Sequence, residues 1–72
     1  MKTAYDLLIA APDSQVVRSQ IVFKALANGL WLDAAFALRN AANEESSGEW
    51  ADDSRELAEY CERVAGTLES TN

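Results

Sequence analysis

Three chain breakers cut this sequence into four stretches, and each stretch carries the apolar spacing of a helix. The breakers are Pro12, Gly29 and Gly48. A proline ends the helix before it because the preceding residue avoids helical angles. A glycine accepts the left-handed conformation that closes a helix C-terminus. No stretch reads as a strand: the one β-branched cluster, Ile21-Val22-Phe23, falls inside a helical period. The chain has 72 residues, so the helices form a single domain over residues 1–72 with a small core. The expected fold is all-α, a compact bundle of three to four short helices.

The first helix is predicted from about Thr3 to Ala10, with Thr3 and Asp6 in a capping-box arrangement and Ala4, Leu7, Leu8 and Ala11 on one buried face. The second runs from about Ser14 to Asn28, capped by Asp13 or Ser14. Val17, Ile21, Ala25 and Leu26 form its core stripe, and Arg18, Gln20 and Lys24 mark the wetter side. The third starts at Leu30 or Leu32, ends at Asn43 and is apolar over most of its circumference, which makes it the central helix. Its alanines let neighbours approach closely. Residues 44–51, EESSGEWA, read as the main loop. The fourth helix runs from about Asp52 to Leu68, with Leu57, Tyr60, Cys61, Val64 and Leu68 as its apolar stripe and Ser70–Asn72 fraying.

Charge is distributed unevenly. The formal net charge is −6. Residues 1–36 hold three acids and three bases, whereas residues 37–72 hold nine acids and three bases. Such a chain lacks the cations that displace phosphate counterions, so direct nucleic-acid binding is not expected. Its field favours a basic protein surface. No apolar run approaches the length of a membrane span. Residues 1–15 begin like a signal peptide, but Asp6 interrupts the apolar stretch and Leu7–Ala11 is too short for its core. Cys61 is the only cysteine, which fits a reducing, cytoplasmic setting.

The usual catalytic constellations are missing from the sequence. There is no histidine, so a zinc site or a histidine-activated nucleophile has no ligand or base. The glycines at 29, 48 and 66 are isolated and form no phosphate loop. Glu49, Asp52, Asp53 and Glu56 bear carboxylates that suit Mg²⁺ or Ca²⁺, yet their spacing is not that of a calcium loop, and helix capping explains them more simply. Cys61 lies on the apolar stripe and reads as a buried, inert thiol. No metal, cofactor or enzymatic activity is expected. Trp50 reads as a lid that closes the bundle, ahead of an exposed anchor ringed by carboxylates.

The segment Val22–Leu38, with Gly29 in the turn and Ala25 four residues earlier, loosely resembles a helix-turn-helix. Its recognition helix offers one Arg, one Asn and mostly alanine, too little to read base edges, so a helix-turn-helix regulator ranks third, ahead only of an enzyme. The leading expectation is a small acidic protein that docks on a basic surface of a larger protein and blocks nucleic-acid binding there. In size and charge alone the chain resembles the short acidic inhibitors encoded by phages, such as anti-CRISPR proteins. The expected binding residues are Glu44, Glu45, Glu49, Trp50, Asp52, Asp53, Glu56 and Glu59. The alternative is a helical oligomerisation or adaptor module, a homodimer included, whose apolar interface is marked by Trp31, Phe36 and Phe23.

Overall fold

The computed structural model describes residues 1–70, and the expected fraying falls partly on Thr71 and Asn72, which lie outside them. Four helices form: α1 (Ala4–Ile9), α2 (Val16–Ala27), α3 (Trp31–Glu45) and α4 (Glu49–Ser70), with a 3-10 turn over Asp13–Gln15. They pack against one another as a small all-α bundle.

Local chemistry sets most helix ends. The Asp6 N–H donates to Thr3 Oγ1 at 3.2 Å and the Thr3 N–H donates to Asp6 Oδ2 at 3.0 Å, which completes the capping box of α1. The Thr3 N–H and hydroxyl, each donating to Asp6 Oδ2 at 3.0 Å, hold the Asp6 carboxyl below its ordinary pKa. At the end of α2, the Leu30 N–H reaches the Ala25 carbonyl at 2.8 Å and the Gly29 N–H reaches Leu26 at 3.1 Å, a Schellman motif. Gly29 has a φ of +71°, the conformation that motif needs.

Two boundaries differ from the sequence reading. Neither Asp13 nor Ser14 caps α2. The chain enters through the 3-10 turn, and Ser14 Oγ instead donates to Glu45 at 3.3 Å. The predicted eight-residue loop is also only Ser46-Ser47-Gly48, because α3 continues to Glu45 and α4 starts at Glu49. Ser46 makes the tight reversal, with φ 70° and ψ −56°. The Ser47 N–H donates to the Glu45 carbonyl at 2.8 Å, so Ser46 is the centre of a γ-turn, a strained geometry for a residue with a Cβ. Arg55 holds it from below: Nη2 donates to the carbonyls of Ala42 at 3.2 Å and Ser46 at 2.8 Å. The Ala42 carbonyl also accepts the Ser46 N–H at 2.8 Å, the last helical hydrogen bond of α3, so Arg55 braces a carbonyl that is already bonded and the Ser46 carbonyl beyond it.

α3 is the packing centre. It lies against both α4 and α2, while α1 rests on α2 and touches α4, so α2 and α4 occupy diagonal corners. Small side chains allow this: eight of the thirteen buried apolar residues among those described are alanine, with Leu7, Val22, Leu38, Leu57 and Cys61 supplying the rest.

The burial of α2 departs from expectation. Its inward residues are Ser19, Val22 and Ala25, preceded by a fully buried Gln15. Val17 and Ile21, expected in the core, are 68% and 55% exposed. On α3, Ala34, Ala35, Leu38, Ala41 and Ala42 face inward, but Leu32 and Phe36 are exposed, so the central helix is not covered all round. On α4, Leu57 and Cys61 are buried and Val64 half-buried, whereas Tyr60 and Leu68 are exposed.

Candidate functional site

The eight residues expected to bind a partner fall into three groups. Glu44 and Glu45 end α3 and are turned to the start of α2. Arg18 Nη1 donates to Glu44 at 2.7 Å and to the Gln15 side-chain oxygen at 2.8 Å. Gln15 Nε2 donates to Glu45 at 2.9 Å and to Glu44 at 3.3 Å. The amide of Gln15 is buried and has no unsatisfied atom, so this cluster is a joint between helices. The hydrogen bond from Arg18 holds the Glu44 carboxyl below its ordinary range.

Glu49, Asp52, Asp53, Glu56 and Glu59 share one side of α4, spaced three and four residues apart. They form an acidic ridge opposite the buried residues Ala51, Ser54, Ala58 and Ala65. Arg55 pairs with Asp52 at 3.2 Å, Arg63 with Glu59 at 3.4 Å, and the N-terminal ammonium approaches Glu56 at 4.0 Å. Of these five, Glu49 and Asp53 have no ion pair or hydrogen bond among the described residues. Both line a notch of about 280 Å³ with Lys2, Asp6, Leu7, Ala10 and Trp50.

Trp50 is half-buried at the back of that notch and packs on the core. Its Nε1 donates to the Leu7 carbonyl at 2.9 Å, so the ring closes α1 onto α4 in the manner of a lid. Cys61 is fully buried, and burial pushes its thiol pKa upward, away from the reactive thiolate. Among the described residues no three His, Cys, Asp or Glu side chains stand close enough to hold a metal ion, and no helix is long and apolar enough to cross a membrane.

Sequence reasoning missed the outer face of α2. Val17, Ile21 and Lys24 follow one another at helical spacing on its exposed side. A groove of about 390 Å³ lies on one flank, lined by Leu8, Val17, Gln20, Ile21, Phe23 and Lys24. Tyr5 stands edge-on to Phe23 beside it, ring centroids 6.5 Å apart. A second groove of about 280 Å³ lies on the other flank, lined by Ile21, Lys24, Ala25, Asn28, Leu30 and Asp33. The signal was present in the sequence: Val16, Val17, Ile21, Val22, Phe23 and Leu26 encircle the helix, more apolar surface than three neighbours can cover. The aromatics named for an apolar interface divide. Phe36 is 71% and Phe23 44% exposed, whereas Trp31 is half-buried against the core and edge-on to Tyr60 at 6.3 Å.

Compared with known protein families, curated proteins and solved structures, the chain matches none.

Proposed function

We propose that this chain is a small helical interaction module that works by binding, through the apolar outer face of α2 and the side chains beside it. One observation carries this reading: the core is built mostly of alanine, while Val17, Ile21, Phe23 and Leu30, which line the two grooves along α2, are 44–68% exposed. Scattered exposed apolar residues are ordinary, but a contiguous strip flanked by grooves marks an interaction surface. Burying apolar surface contributes about 25 cal/mol per Å² before the costs of association. Branched aliphatic side chains lining grooves on a rigid helix lose little freedom on being covered.

A second reading keeps the acidic ridge as the working face, in the manner of an inhibitor that covers a basic nucleic-acid-binding surface. Its support is the alignment of Glu49, Asp52, Asp53, Glu56 and Glu59 on one side of α4. It ranks second because Glu44 and Glu45 are engaged with α2 and Trp50 with α1, so three of the eight expected contact residues hold the fold together.

Photo-crosslinking inside host cells separates the two. A photoreactive residue at Val17 should capture a protein and one at Glu59 should not. Capture from Glu59 alone, abolished by charge reversal at Glu49 and Asp53, would overturn the apolar reading in favour of the acidic one.

A further inference from the structure

We propose that the occupant of the α2 face is a second copy of this chain, related by a two-fold axis, with Lys24 of each copy set against Asp33 of the other. The inference rests on the apolar-face reading above and adds the identity of the partner.

Charge complementarity carries it. All four arginines are committed within the chain: Arg18 to Glu44, Arg39 to Glu62, Arg55 to Asp52 and Arg63 to Glu59. Lys24 on α2 and Asp33 on α3 line the same groove beside Ile21 and Leu30, yet neither forms an ion pair or hydrogen bond through its side chain among the described residues. An uncommitted cation and an uncommitted anion thus flank one apolar strip. A wholly acidic partner leaves Asp33 facing like charge, and a wholly basic one does the same to Lys24. A two-fold axis satisfies both, because each contact between unlike residues is made twice with the roles exchanged.

The placement of the remaining charge agrees. α2 carries Arg18 and Lys24 and no acid. The acidic ridge is on α4, at the corner diagonal to α2. Apposed α2 faces therefore keep the two ridges on the outer sides of the pair. Charges separated by more than a Debye length of about 10 Å at 0.1 M salt are largely screened. The net charge of −6 on each copy then opposes association at this face only weakly.

Sedimentation equilibrium of the purified full chain, from low micromolar to millimolar, tests it. The expected result is a monomer–dimer equilibrium that Ile21→Asp abolishes. Lys24→Asp and Asp33→Lys should each weaken the dimer about tenfold by setting like charges together. The double exchange should restore it to within about threefold, and an equimolar mixture of the two single variants should form the mixed dimer. Each position is exposed, so the dilute monomer should keep its helical circular dichroism in every variant, with the melting midpoint lowered only modestly in Lys24→Asp and Asp33→Lys, which reverse the charge in the last turn of α2 and the first turn of α3. A wild-type chain that stays monomeric at millimolar concentration overturns the proposal. So does a dimer that survives Ile21→Asp and yields to Phe36→Ser, or single exchanges that the double does not rescue. A monomer whose residue 17 crosslinks to a different protein loses the second copy but keeps the interaction face; a monomer without crosslinks loses both.

Discussion

Helices α2 and α4 occupy diagonal corners of the bundle and meet the problem of burial differently. α4 has a divided circumference: Ala51, Ser54, Leu57, Ala58, Cys61 and Ala65 on one side, and Glu49, Asp52, Glu56, Glu59 and Arg63 on the other. Only one rotation about its axis buries the first set and hydrates the second. α2 has apolar residues all round, and several rotations bury a comparable amount. The one adopted sends Val22 and Ala25 inward with Ser19 and leaves Val17 and Ile21 outside. Where a helix is chemically divided, burial follows from its sequence. Where it is not, the neighbours choose the face, and the apolar remainder is available to a partner.

The largest test of this contrast is a pair of truncations. Leu57→Ala, in the buried stripe of α4, should destabilise the chain by about 2–5 kcal/mol in urea titrations, the range for emptying a core leucine site. Ile21→Ala, on the outer face of α2, should change stability by less than about 0.5 kcal/mol at concentrations where the chain is monomeric. Equal losses would mean that Ile21 is not an outward residue, and the contrast would fail.

The joint that fixes the rotation of α2 comes next. Gln15→Ala removes the buried amide that serves Arg18, Glu44 and Glu45, and should cost about 1–3 kcal/mol. Acid probes this joint together with the Arg39–Glu62 pair between α3 and α4. Both Glu44, hydrogen-bonded by Arg18, and Glu62, hydrogen-bonded by Arg39, sit below the ordinary value of 4.5 in the folded chain. Their contribution is complete above that value and is lost as pH falls through the lower folded values, because the unfolded chain then takes up protons more readily. Melting followed by circular dichroism should therefore show a loss below pH 4.5 that is smaller in Glu44→Gln. An acid loss unchanged by that substitution would remove Glu44 from the account.

Two smaller effects sharpen the view of α4. Trp50→Phe keeps a ring in the lid position but deletes the hydrogen bond to the Leu7 carbonyl, at a cost of about 0.5–1.5 kcal/mol. Arg63→Ala removes one exposed pair with Glu59 on the acidic ridge and should shift stability by no more than about 0.5 kcal/mol. A larger effect there would make the ridge structural.

The Glu44–Glu45 pair shows why the acidic residues were harder to place than the helices. In the sequence they belong to one acidic run with Glu49 to Glu59. In the fold, the γ-turn at Ser46 parts them from it, and they point to Gln15 and Arg18, 26 to 30 residues earlier. Glu49 and Trp50 looked like loop residues because Ser46, Ser47 and Gly48 are turn formers. The turn needs only those three, so α4 begins a full turn earlier than its apolar stripe suggested.

By itself the sequence determined the four helical stretches, the Thr3 cap, the Asn28-Gly29 stop and the inward place of Leu57 and Cys61 on α4. Caps and breakers act within a few residues, and a divided helix has one favourable orientation. Only the tertiary structure decided which side of α2 faces solvent, where Glu44 and Glu45 point, and that Trp50 closes on α1. Each of these depends on contacts between residues far apart in the chain, in a core filled mostly by alanine while Val17 and Ile21 stay outside.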